Sequence, residues 1–180
     1  MSDPEAFEEF AHDLRGTMGS LRLVMSSLID EEDAEQRGAF LALAEEEVQR
    51  VAVCAGALPA LAAVDRSASA EIDLGPALAD AALAALRYGV RATVAPAASA
   101  RVLSQPVALA SVLPALFQLA AGTTGATTVS CEPSPGGVRI ECTTATMWPQ
   151  ARHLVARLVA VAGGRLVDID SVCFVLPVVP

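Results

Sequence analysis

The sequence predicts an α+β protein: an N-terminal antiparallel helical hairpin that forms a dimeric four-helix bundle, then an α/β sandwich. Three observations predict it. Apolar residues recur at heptad spacing through residues 4–64. The same third of the chain holds most of the acidic residues. Beyond residue 73 the pattern changes to short strands alternating with helices.

Residues 4–29 form the first helix, with Phe7, Ala11, Leu14, Met18, Leu21, Met25 and Leu28 stepping by four and three. The acidic run 30–35 has no periodicity and is a loop. Residues 36–64 give a second helix with the seam Leu41, Ala44, Val48, Val51, Ala55, Leu58 and Ala62, which Pro59 should kink or shorten. One hairpin cannot cover both seams and the apolar Leu23, Val24, Phe40 and Val53 beside them; two hairpins can, so a homodimer is expected. The polar stretch 65–73 separates residues 1–65, the dimerisation domain, from a second domain at 73–180.

In that second domain residues 74–88 are helical, with Pro76 in the first turn. Residues 90–95 and 101–103 are short strands, and 107–121 is an apolar helix. Residues 127–132 and 137–143 make a hairpin around 133–136. Residues 148–162 form a helix ended by Gly163-Gly164, and 165–168 with 171–177 form a second hairpin. The result is a sheet covered on one side by helices.

Composition removes several function classes. The chain has 180 residues, 53% apolar, enough for a sizeable core. All twelve basic residues are arginine, which excludes lysine Schiff-base chemistry and a P-loop lysine. The net charge of −9 arises within residues 1–50, where thirteen acids face four arginines; residues 51–180 carry eight of each. An acidic third and a neutral remainder speak against nucleic acid or anionic membrane as partner. Cys54, Cys131, Cys142 and Cys173 are widely spaced, with no zinc pattern, and read as reduced core residues of a cytoplasmic protein. No metal site is expected. The acidic N-terminal residues contain no apolar stretch of the signal-peptide kind. Residues 102–131 lack charge, yet Pro106, Pro114 and Gln118 interrupt them and leave less than the ~20 residues of a membrane span.

The sharpest local feature is His12-Asp13-Leu14-Arg15 on the first helix. His12 lies one residue past seam position Ala11, about 100° round the helix, and so on the flank of the bundle. An exposed imidazole beside a carboxylate suits attack on phosphorus, because a neutral ring nitrogen is available near neutral pH. The plain alternative is an ordinary surface histidine next to an ordinary aspartate.

Order along the chain favours the chemistry. Phe10-Ala11-His12-Asp13-Leu14-Arg15 resembles the phosphoacceptor box of histidine kinases. Asp73-Leu74 looks like the start of that family's first catalytic-domain helix, and Tyr88-Gly89-Val90 resembles its turn into a long strand. Residues 107–121 fall where the asparagine-bearing helix lies. Val138-Arg139-Ile140-Glu141 looks like the strand leading to the Asp-Gly motif. Ala162-Gly163-Gly164-Arg165-Leu166 and Phe174-Val175-Leu176-Pro177 are similar to the last helix end and the closing strand.

The departures from the family are chemical. The magnesium-holding asparagine is absent from residues 113–121 and from the whole chain. Thr143-Thr144-Ala145-Thr146-Met147-Trp148 stands where an adenine-reading aspartate and small glycines are needed, and the lid is missing. The resemblance therefore implies a degenerate histidine-kinase-type ATPase-like domain that binds no ATP, beside a retained phosphoacceptor. It implies a histidine phosphotransfer protein of a bacterial phosphorelay. His12 would relay a phosphoryl group between receiver-domain aspartates, with Asp13 polarising the imidazole or moving its proton. Arg15, Gly16, Gly19 and Arg22 would lie on the face that receivers dock against, with Arg15 pairing acidic side chains of the bundle. No cofactor is expected, since receivers of response regulators or hybrid kinases bring their own Mg²⁺. Gly16-Thr17-Met18 replaces the family's Thr-Pro-Leu, which puts phosphatase activity in doubt. The alternative is a kinase-like binding module that regulates a histidine kinase or response regulator and is never phosphorylated.

Overall fold

The computed structural model describes residues 4–62, 68–95, 100–122, 125–143 and 151–178. The chain divides into two compact units, Asp3–Ala55 and, with Met1–Ser2, Gly56–Pro180. The division falls inside the second helix.

The first unit is helical. α1 (Pro4–Asp30) and α2 (Ala34–Ala62) are joined by residues 31–33. Asp33 starts α2 by accepting the backbone N–H groups of Glu35 and Gln36 through Oδ1, at 2.9 and 3.0 Å, a capping contact of about 1 kcal/mol. The loop is thus shorter than 30–35, because Ala34 and Glu35 already belong to the capped first turn. α2 runs on through Pro59 to Ala62.

The seams keep part of their expected lines and turn away from the rest. On α1 the expected Ala11, Leu14, Leu21 and Leu28 are half-buried, joined by Thr17, Val24 and Ser27, while Met18 and Met25 stay 56% and 46% exposed. On α2 the expected Ala44 and Val51 are buried or half-buried, with Phe40, Glu46, Glu47, Arg50 and Ala52, whereas Leu41 and Val48 are exposed. Both observed lines keep the three–four spacing. The sequence pattern was ambiguous because apolar residues occupy two adjacent stripes, and a charged Glu47 sits where only an apolar residue was expected.

The second unit orders β1 (Ala70–Asp73), α3 (Leu74–Leu86), β2 (Arg91–Val94), β3 (Arg101–Ser104), α4 (Pro106–Ala121), β4 (Ala126–Ser134), β5 (Gly137–Cys142), α5 (Ala151–Val161), β6 (Arg165–Asp168) and β7 (Cys173–Pro177). Five strands form a mixed sheet in the order β2-β4-β5-β7-β6, and β1 pairs with β3 in a separate two-stranded sheet. Only β2 and β4 run parallel; the other pairs are antiparallel. Alternation along β4 and β5 buries Thr127, Val129, Val138, Ile140 and Cys142, while Thr128, Ser130, Arg139 and Glu141 keep part of their surface. α4 supplies most of the core: Val112 to Ala121 is buried without a break, despite the internal Pro114. An all-round apolar helix belongs inside a domain.

Strand β1 corrects the linker expected at 65–73; residues 63–67 lie outside the described ones. Ala70-Glu71-Ile72-Asp73 pairs antiparallel with Ser104 back to Arg101, and Arg101 reaches Glu71 at 3.1 Å. With Ile72 its sole large apolar residue, this strand has no local signal and depends on a partner 30 residues away. Asp73 then caps α3, its Oδ1 accepting the N–H of Gly75 at 3.1 Å. α3 ends two residues earlier than expected, at Leu86, because Arg87, Tyr88 and Gly89 close a turn with Gly89 at φ +79°.

The hairpin β4–β5 turns on Pro135-Gly136, with Gly136 at φ +81°. Gly137 begins β5 in close contact with β7: a Cβ there would lie 2.0 Å from the Leu176 carbonyl oxygen. The second hairpin turns through Asp168–Ser171. Asp168 accepts the Ser171 hydroxyl at 2.7 Å and the Asp170 N–H at 3.1 Å. Val172, fully buried at φ +45°, completes that turn, in a region that β-branched residues rarely occupy.

Candidate phosphoacceptor helix

Continuous α-helix through residues 4–30 fixes where each predicted site residue stands. At about 100° per residue, His12, Gly16, Gly19 and Leu23 fall on one stripe, with Arg15 and Arg22 along one side of it. His12, Arg15, Gly16, Gly19 and Arg22 are all exposed, and Leu23 is 69% exposed. The stripe lies opposite the line of Leu14, Thr17, Leu21 and Val24 that the unit covers. His12 was expected about 100° from the seam, on the flank; on this helix it lies farther round, opposite the covered line. Asp13 follows on the same helix, and its side chain lies outside the described ones.

Gly16 and Gly19 leave the stripe flat. No atom comes within 4 Å of a Cβ built at either position, so nothing of this chain requires glycine there. Two helix-interior glycines nevertheless cost about 1 kcal/mol each. The backbone below His12 is open to close approach from outside. Arg15 is exposed; ion pairs among the described residues of this unit include those of Arg50 with Glu46 and Glu47, at 2.6 and 2.7 Å.

In the second unit the stretch expected to face a nucleotide is closed. Every side chain from Val112 to Ala121 is buried in the core, so none is presented to a phosphate or a metal ion. Gln118, 3% exposed, leaves its Oε1 without a hydrogen-bond partner. Only residues 122–125 connect α4 to β4, and residues 143–150 connect β5 to α5. The replacement Thr143–Trp148 falls mostly outside the described residues; Thr143 is exposed and donates its N–H to Thr128. Among the described residues no group of three or more His, Cys, Asp or Glu could hold a metal ion.

A cleft of about 330 Å³ between α3 and α4 is lined by Ile72, Ala77, Asp80, Ala81, Pro106 and Leu109. It holds one carboxylate and no nucleophile. Cys142 and Cys173 are buried and Cys131 half-buried, all reduced; burial pushes the Cys131 thiol up to about 11. Cys54's side chain lies outside the described ones. No described helix is long and apolar enough to cross a membrane.

No family model matches the chain, and no curated protein matches it. Several solved structures are similar. The ATP-binding domain of PrrB from Mycobacterium tuberculosis shares 18% identity at a TM-score of 0.45, over 62% of this chain and 96% of that one. The mycobacterial sensor histidine kinase MprB shares 15% identity at a TM-score of 0.45, over 63% of this chain and 99% of that one. A bacterial phosphotransferase shares 17% identity at a TM-score of 0.41, over 96% of this chain and 83% of that one. The chain's structural neighbours thus include ATP-binding domains of histidine kinases and a phosphotransferase.

Proposed function

We propose that this chain is a cytoplasmic histidine phosphotransfer protein of a two-component phosphorelay, acting as a homodimer and without ATP. The observation that carries the reading is the exposed stripe of α1, where His12 stands above the open backbone of Gly16 and Gly19. A receiver domain docked there would present its phospho-aspartate in line with the imidazole. A ring nitrogen of His12 attacks phosphorus, the N–P bond forms, and the acyl P–O bond breaks with its electron pair leaving on the receiver's carboxylate. The reverse step delivers the phosphoryl group to the aspartate of a second receiver. Asp13 polarises the imidazole or takes its proton, and the receiver brings the Mg²⁺ that neutralises the phosphoryl charge. Arg15 and Arg22 flank the docking face.

Two further observations support the reading. The open methionines Met18 and Met25 on α1, with Leu41, Leu43 and Val48 on α2, leave an apolar surface for a second hairpin. The closed core around α4 leaves phosphate to arrive from elsewhere.

Incubation with a panel of ³²P-labelled phospho-receivers tests the proposal. Wild type acquires acid-labile label from at least one; His12→Ala acquires none while still binding that receiver; Asp13→Asn acquires it more slowly. His153 is dispensable. A wild type that no receiver labels, or a His12→Ala that still labels, replaces phosphotransfer with the binding-module reading.

A further inference from the structure

The outer side of α3 is apolar and uncovered. From Leu74 to Leu86, Asp80 is the helix's sole polar side chain. Leu74, Leu78, Ala81 and Ala85 are buried in the second unit. On the opposite side Pro76, Ala79, Leu83 and Leu86 recur at steps of three, four and three. All four are exposed, Leu83 to 66% and Leu86 to 56%. Tyr88, 48% exposed, continues this surface past the helix end. A helix that is apolar all round belongs inside an assembly.

The charges beside the stripe identify what covers it. Asp80 follows Ala79 and Arg87 follows Leu86, so both lie on one flank of the stripe. Arg87, the C-cap, keeps helical dihedrals. The two are about 10 Å apart along the axis, too far to pair within one helix. Both are exposed, and neither side chain has an ion pair among the described residues. The other flank carries Gly75 and Ala82 and no charge.

We propose that the outer stripe of α3 is a self-docking surface, on which a second copy of this chain lays its own α3 antiparallel across a twofold axis. In an antiparallel pair like flanks face each other, so Asp80 of each copy meets Arg87 of the other. Leu83 of one copy packs against Leu86 of the other between those ion pairs. A parallel pair sets the charged flank against the Gly75–Ala82 flank and leaves all four charges unmatched. A foreign helix fits only if it repeats the same acid–base spacing. One face of a 13-residue helix is smaller than a stable interface, so the contact is weak and joins copies only when they are crowded. The proposal rests neither on the hairpin homodimer nor on phosphotransfer.

Sedimentation equilibrium of the full chain, from about 10 µM to about 1 mM, reads the average mass. In wild type the mass rises reversibly above its micromolar value. Asp80→Arg and Arg87→Asp each set like charges together in both pairs, and each weakens the association about ten-fold. Mixing the two variants in equal amounts restores it, because every charge then meets its opposite. Leu83→Asp removes it, with circular dichroism showing that the variant is folded. A wild-type mass that stays flat overturns the proposal, as do single variants that associate like wild type or a mixture no better than its components. A chain that is monomeric at micromolar concentration overturns the hairpin homodimer alone, and the rise then reads as monomer to dimer.

Discussion

Gly137 and Asp168 show how single residues set the second unit's stability. At Gly137 the obstacle is rigid backbone: a Cβ would meet the Leu176 oxygen at 2.0 Å and Val175 Cγ1 at 2.8 Å. Gly137→Ala must therefore separate β5 from β7, and about 3 kcal/mol or more of stability should go with it. A denaturant midpoint within error of wild type would show that the strands yield instead. Asp168 acts through hydrogen bonds. The Ser171 hydroxyl, then the Asp170 N–H, hold its carboxyl below the usual carboxylate range. A depressed folded-state pKa contributes stability above the ordinary value of about 3.9 that is lost as pH falls through the folded value. Asp168→Asn should remove that component, so that wild type and variant differ at pH 6 and converge in acid. Parallel stability curves down to pH 2 would refute it. None of these contacts had a sequence signature. Gly137 is one of twelve glycines, and its need is set by a strand 40 residues away.

At the scale of elements, local chemistry was legible and non-local pairing was not. The two long helices, the apolar helix 107–121 and both hairpins follow from periodicity and from turn residues such as Pro135-Gly136. Strand β1 did not, because its pairing with β3 is its whole reason to be extended. The hairpin's seams were legible in spacing and displaced in phase: Met18 and Val48 were expected inside, and Thr17 and Glu47 took those places. The exposure of His12 was legible because it depended only on being helical and off both stripes. The phase shift changes which substitution best probes the dimer. Met18 and Met25, open on the single hairpin, should be the residues a second copy covers, so Met25→Asp should convert dimer to monomer while α1 and α2 stay helical. Sedimentation at micromolar concentration measures this; a dimer unchanged by Met25→Asp would move the interface elsewhere.

For the molecule as a whole, the two units divide the chemistry between them. The helical unit exposes the imidazole of His12, and the second unit encloses its own central helix. Calorimetry with Mg-ATP should give no binding tighter than about 0.1 mM, a limit equivalent to roughly −5.5 kcal/mol of specific contacts; a tighter constant would mean that α4 opens. The burial of Val112 to Ala121 as a block was legible from an uncharged run interrupted by two prolines.

The order of the large sheet has a consequence for how the protein is made. β7 comes after every other strand in sequence, yet it sits between β5 and β6 and receives hydrogen bonds on both edges. While the chain is still being synthesised, β5 has one bare edge and α4 an incomplete floor, and neither is closed until residue 177 is available. The residues grouped in the helical unit, Asp3–Ala55, have all been made long before then, while the sheet is still waiting for its last insertion.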